Sequence, residues 1–326
     1  MRRLFCLTVC AIFMTSCCSG VTFSQFGGSA DPDMRQQLLD DLQMMPTQIQ
    51  QFGQSLQPLM EEMQKNMQAK IMEELPKRMA DTSSPMTQED GMRLGTEIAI
   101  DEMAALQQPI NEKFLESFSE AQHQKMHTRM FQMRQGIMER LDSVDSSEFM
   151  EGAMMMETTQ LMVGQPGFLE LTPEQNALIF KQQKETAIKG MSLMAQEDMN
   201  PEKAAERQRL YEELHKAETD EQREVLENKI RELQLDALKK ITPQLKEILK
   251  EGHENFMRTL TDAQRAKIKT VMAEMPDYLK KQFDEFDKTG SGLSGLESWV
   301  PGMGAPGVNP NREPPRQRSG GRAFPE

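Results

Sequence analysis

The feature that most constrains this chain is a five-residue phrase that returns along it. Leu171-Thr172-Pro173-Glu174-Gln175 and Leu260-Thr261-Asp262-Ala263-Gln264 share one pattern, and Phe118-Ser119-Glu120-Ala121-Gln122 is a looser copy. Each follows an aromatic-led pair: Phe114-Leu115, Phe168-Leu169 and Phe256-Met257. The phrase spells a helix start. A Ser or Thr at the N-cap accepts from the backbone N–H three residues on, and the Gln at that position reaches back to the N–H of the cap. Pro173 then falls at the first helical position, where no N–H is needed. The residue after each Gln is polar (His123, Asn176, Arg265), so the pattern supports a reciprocal cap but not a hydrophobic staple.

Helical patterning surrounds these starts. Pro46 and Pro58 are expected to separate helices over about 34–45, 47–57 and 58–80, and Ser83-Ser84-Pro85 to begin a helix reaching Pro109. Further helices are expected over about 120–141, from the turn at 142–147 to Gly164, and from the second copy to Met199. A charged stretch from Pro201 to about Lys240 alternates Glu with Lys or Arg, as a solvated helix face does. Thr242-Pro243 is expected to restart the helix and Gly252 to interrupt it. The last stripe, Ile268, Val271, Met272, Met275, Leu279, Phe283 and Phe286, is expected to kink at Pro276. No alternating β pattern of useful length occurs.

Composition sets the fold class. Hydrophobic residues make up 37% of the chain and aromatics 6%, with a mean hydropathy of −0.63. That suits an all-α fold of elongated antiparallel helical hairpins, or a bundle, sharing a thin apolar seam. The domain plan is a signal segment over 1–16, a Ser/Gly-rich tether over 17–33, one helical domain over 34–288 and a disordered Gly/Pro/Arg tail over 289–326. The formal net charge of −13 argues against a nucleic-acid partner, which needs a basic footprint.

All four cysteines (Cys6, Cys10, Cys17 and Cys18) lie at the N-terminus, so disulfides, Cys-metal clusters and thiol catalysis are excluded from the remainder. Arg2-Arg3 ahead of the apolar run Leu4–Met14 reads as a secretory signal, too short to span a membrane. Met14-Thr15-Ser16-Cys17 resembles a bacterial lipobox with Cys17 as lipid acceptor; the alternative is cleavage after Gly20 and a soluble exported protein. Localisation is expected in the periplasm or cell envelope.

The Leu-Thr-x-x-Gln phrase, carried by Leu171, Thr172 and Gln175, by Leu260, Thr261 and Gln264, and more loosely by Ser119 and Gln122, resembles the signature of the LTxxQ-motif family of periplasmic stress proteins, the Spy/CpxP-like proteins. The resemblance covers the three motifs and the helix after each. It implies a chaperone-like stress-response protein that binds unfolded or stress-exposed envelope proteins without ATP, through a shallow Met-rich groove rimmed by charge. Two departures stand out: the chain carries three copies with much additional helix, and it is strongly acidic. A periplasmic copper- or zinc-binding stress protein and a structural envelope lipoprotein are the alternatives. Partners expected are unfolded or envelope proteins, the membrane through a lipid on Cys17, and a second copy of the chain as a homodimer.

Methionine is the most unusual count, at 29 residues. Met126, Met130, Met133, Ile137 and Leu141 recur at helical spacing. The plainest reading is a core stripe built from an adaptable side chain; the others are a surface that repacks against many partners and a thioether site for Cu(I). His123 and His127 stand one turn apart with Met126 and Met130 alongside, a candidate metal set that lacks an obvious third hard ligand. Asp287-Lys288-Thr289-Gly290-Ser291-Gly292 resembles the opening of an EF-hand loop, but Thr289 and Ser291 replace carboxylates and position 12 is Ser298. No phosphate loop, G-x-S-x-G or H-E-x-x-H occurs, so neither a catalytic set nor a cofactor is expected, and the chain reads as a binding protein rather than an enzyme.

Overall fold

The computed structural model describes residues 32–81, 87–144, 146–198, 201–217 and 219–289. The signal segment with Cys17, the tether up to residue 31 and the tail from residue 290 lie outside the described residues. The fold is all-α, with no strand among the described residues. In chain order the helices are α1 (Pro32–Leu42), α2 (Pro46–Asp81), α3 (Gln88–Ala105), α4 (Gln107–Ser117), α5 (Glu120–Arg140) and α6 (Ser147–Val163). After the short 3-10 turn Gly167–Leu169 come α7 (Pro173–Asp198), α8 (Pro201–Lys216), α9 (Asp220–Thr259), α10 (Asp262–Ala273) and α11 (Asp277–Thr289).

Proline punctuates this chain in two ways. Pro46, Pro173 and Pro201 each take the first helical position, where their missing N–H leaves nothing unpaired. The Pro109 ring blocks the carbonyl four residues before it, so α3 ends at Ala105 and Pro109 lies in the first turn of α4, not at the end of a longer helix. Pro276 separates α10 from α11 for the same reason. Three expected breaks do not occur: α2 runs through Pro58, and α9 through Pro243 and Gly252. An internal proline costs about 3 kcal/mol, and burial on both sides offsets it. Phe52 and Leu56 before Pro58, and Met63, Met67, Ile71 and Leu75 after it, form one buried stripe. Around Pro243, Ile241 and Leu245 are buried, and the Thr242 hydroxyl donates to the Leu238 carbonyl at 3.0 Å. The charged stretch breaks after Ala217, where Thr219 caps α9 by accepting from the Gln222 N–H at 3.2 Å.

Helices α7 and α9, joined through α8, make the most extensive helix pair among the described residues and α2 packs on α3, while α6 lies against α3, α4, α5, α7 and α9. Residues 130–138 of α5 and 156–163 of α6 are buried on every face. A helix covered all round lies at the centre of its bundle. Between these two runs sits a fully buried ion pair, Arg134 Nε donating to Glu157 Oε1 at 2.6 Å, with the guanidinium 5.2 Å from the Phe256 ring centroid.

Candidate functional site

All three copies of the recurring phrase form reciprocal caps. The Gln122 N–H donates to Ser119 Oγ at 3.2 Å while Gln122 Oε1 accepts from the Ser119 N–H at 2.9 Å. Thr172 and Gln175 do the same at 3.2 and 3.1 Å, and Thr261 and Gln264 at 3.3 and 2.9 Å. Capping uses only the oxygen of each glutamine amide. The nitrogen does something the local pattern does not require.

That nitrogen ties each helix start to another. Gln175 Nε2 donates to the Thr259 carbonyl at 3.0 Å, and Gln264 Nε2 to the carbonyls of Leu169 at 3.1 Å and Glu170 at 3.3 Å. The second and third copies therefore face one another, each reading the backbone that leads into its partner. The upstream pairs are the packing beneath this contact: Leu169, Phe256, Leu260 and Ile268 belong to one cluster, flanked by Phe168, Leu171 and Met257.

The first copy is paired too, with a start that has no cap hydroxyl. Gln122 Nε2 donates to the Gln43 carbonyl at 2.7 Å. Across from it, Gln48 Oε1 accepts from the Met45 N–H at 3.1 Å, and its Nε2 donates to the Ser117 carbonyl at 3.4 Å. Met44-Met45-Pro46-Thr47-Gln48 is thus a fourth copy, a half-cap lacking the hydroxyl. Its signal in the sequence is the Pro-x-Gln it shares with Pro173-Glu174-Gln175.

The two pairs follow one plan. In each, the glutamine amide reaches the carbonyl two residues before its partner's cap. The only non-glycine residues with positive φ among those described are Gln43 (54°) and Glu170 (48°), each two residues before the cap of the Pro-x-Gln copy. Buried residues match as well: Phe52 with Ile179 and Met126 with Ile268, seven after their caps, and Phe114 with Phe256, five before.

The methionine stripe is core. Met126, Met130 and Met133 are buried with Ile137 and Leu141 in the largest cluster. His123 and His127 are buried as well. Their Nε2 atoms are 2.9 Å apart, and His123 Nε2 is 3.0 Å from Asn111 Oδ1. Asn111 Nδ2 donates to the Val163 carbonyl at 3.1 Å, which turns Oδ1 toward His123. His123 therefore carries its proton on Nε2 and donates it to Asn111 Oδ1, with His127 Nε2 as a second, shared acceptor. Burial holds both imidazoles neutral, lowering His123 and pushing His127 down to about 3. A metal taking both Nε2 atoms would send that proton to His123 Nδ1, which is buried without a partner. No group of three or more His, Cys, Asp or Glu among the described residues is arranged to hold a metal ion.

Asp287, first residue of the EF-hand-like run, receives Arg140 Nε at 2.9 and 3.2 Å. The run beyond residue 289 lies outside the described residues. No described helix is long and apolar enough to cross a membrane. No family model, curated protein or solved structure matches the chain.

Proposed function

We propose that this chain is an exported, non-enzymatic protein of the cell envelope, similar to the LTxxQ-motif stress proteins, that binds unfolded segments of envelope proteins without ATP. The observation that supports this most is the continuity of the methionine seam. Met126, Met130, Met133, Met150, Met154 and Met162 fall in one buried cluster that spans α5 and α6, so the seam meets a client only when the helices covering it part. Unbranched thioether side chains repack around differently shaped apolar partners at small cost. The Gln122–Gln48 pairing fixes the start of α5, the helix that carries Met126, Met130 and Met133.

Suppression of aggregation of an unfolding test protein by the full chain, measured with and without copper or zinc, tests the reading. Suppression independent of metal supports it. Suppression that requires metal favours the metal-binding alternative, and its absence under both conditions favours a structural spacer. Attachment to the membrane is proposed through Cys17. Labelled palmitate is expected to enter the parent and not Cys17→Ser, and an unlabelled parent beginning at Val21 would replace lipidation by ordinary signal cleavage.

A further inference from the structure

The last turns of α5 and α11 leave a cavity of about 610 Å³ between them and the turn that leads into α6. That lies within the range of about 300–1,000 Å³ typical of small-molecule sites. Val144 and Phe286 form its apolar wall. Arg140 lines it with a guanidinium that packs one face on the Phe283 ring, 4.5 Å from the centroid. The rim is polar. Glu139 is exposed there, and the Ser143 hydroxyl donates to the Arg140 carbonyl at 3.0 Å, which leaves its oxygen able to accept. An apolar wall, a planar cation and acceptors at the rim suit an indole. Its ring fills apolar space, its π face meets a guanidinium, and its N–H donates.

The chain carries an indole close to this cavity. Asp287 lines it, and α11 ends two residues later at Thr289. Gly290-Ser291-Gly292 follows, then Leu293, Leu296, Trp299 and Val300 before Pro301. Trp299 is the only tryptophan in the chain, and these four residues form the most apolar stretch of the Gly/Pro/Arg-rich region beyond α11. We infer that residues 293–300 dock at this cavity with the Trp299 indole inside it, and so latch the end of α11 to the turn between α5 and α6. The reach is ample: Trp299 lies ten residues beyond Thr289, a length that spans up to roughly 33 Å when extended. The covalent link adds to the affinity. A short Gly/Ser linker presents such a segment at about millimolar effective concentration, so a contact too weak to hold a free peptide is held here. An outside ligand would have to compete with that concentration, which favours the chain's own segment as the occupant. The inference goes beyond the proposed function and does not rest on it: it concerns how the last helix is fastened, whatever the bundle binds.

Because Trp299 is the only tryptophan, its emission in the full chain reads this one contact. In the parent the emission should be blue-shifted, and its quenching by acrylamide about threefold weaker, relative to a synthetic peptide of residues 290–301. Ser143 is exposed at the rim, so Ser143→Phe fills the cavity from outside and should restore peptide-like emission and quenching. A second variant leaves the cavity untouched: Trp299→Ala should speed amide exchange over residues 139–147 about threefold, with α9 around Leu245–Phe256 exchanging as in the parent. Emission and quenching in the parent equal to those of the peptide overturn the inference, because the indole is then solvated. A shielded Trp299 whose removal leaves exchange over 139–147 unchanged overturns it as well, because the indole then sits elsewhere, and so does a folded Ser143→Phe that keeps the shielded emission. Where Ser143→Phe does not fold, the exchange measurement on Trp299→Ala decides.

Discussion

The side-chain amides of Gln175 and Gln264 meet face to face. Each Nε2 donates to the other's Oε1, at 3.0 and 3.1 Å. Each Oε1 also accepts from its own cap N–H, and each Nε2 from a third direction reaches a carbonyl of the opposite strand of chain. The recurring phrase is thus a cap and a fastener at once, because one glutamine carboxamide supplies both an acceptor and a two-pronged donor.

These two roles carry different energies. Thr261→Ala and Thr172→Ala each remove a cap and should cost about 1 kcal/mol. Gln264→Ala also strips the buried Leu169 carbonyl of its donor, and should cost about 2–3 kcal/mol. In the double variant Gln175→Ala/Gln264→Ala the losses should fall short of their sum by about 1 kcal/mol, as expected for residues in contact. Denaturant midpoints of the four single variants and the double decide this. Threonine variants that unfold with the parent, or strictly additive glutamine variants, would refute the double role.

The buried pair Arg134–Glu157 gives a second expectation. Each side chain is 2% exposed, so neither charge has water to fall back on. Glu157→Gln leaves the guanidinium uncompensated in the core and should destabilise by about 3–5 kcal/mol. Arg134→Met with Glu157→Leu removes both charges and should unfold near the parent midpoint or above it. Thermal unfolding of the two variants separates a pair that supports the fold from one retained at its expense.

How much of this was legible beforehand depends on the reach of each interaction. The caps at Ser119, Thr172 and Thr261 involve residues three apart, so five letters specify them. The fourth start escaped because Met45 lacks the hydroxyl by which a cap is recognised, leaving only Pro46 and Gln48 as its trace. Pro58 and Pro243 misled because the burial that offsets them comes from other helices. The histidines illustrate the same limit. Their spacing placed them on one face of α5, but their burial and tautomers depend on Asn111 from α4 and Val163 from α6. The pairing of helix starts was hidden for the same reason: partners such as Gln122 and Gln43 lie far apart along the chain, and nothing local marks them as neighbours.

Those histidines predict a pH dependence. The unfolded chain protonates His127 near pH 6.5, whereas the folded chain resists protonation down to about pH 3, because burial and the neighbouring His123 oppose the charge. The unfolded state therefore binds more protons between these limits. The stability contribution is complete above pH 6.5 and declines as pH falls, by about 1.4 kcal/mol per pH unit for one such group. His253, pushed down to about 4 by burial and Arg134, adds to the decline in the same direction. Urea unfolding between pH 7 and pH 4.5 should show falling stability, and His127→Gln should flatten the slope by about one proton. An unchanged slope in that variant would mean that His127 is solvated in the folded chain.

The methionines of α5 decide between an apolar client surface and a thioether metal site, because the two use different atoms. Met126, Met130 and Met133 are all buried in one cluster, so they can serve a client only when the bundle opens there, and then through volume and adaptability. Replacing all three by Leu keeps volume and hydrophobicity, and each change should cost less than about 1.5 kcal/mol. Client binding should therefore survive, with aggregation suppression within about twofold of the parent, the residual loss reflecting the stiffer branched side chain. A Cu(I) site depends on sulfur, so the same triple change would abolish it while leaving the fold intact. His123→Gln with His127→Gln should leave suppression unchanged, since these imidazoles fasten α5 to Asn111 and do not face a client. We expect the leucine variant to suppress aggregation as the parent does, and Cu(I) titration to give no tight binding in either. Low-micromolar or tighter Cu(I) binding by the parent, lost in the leucine variant together with suppression, would transfer the function from the apolar surface to the metal.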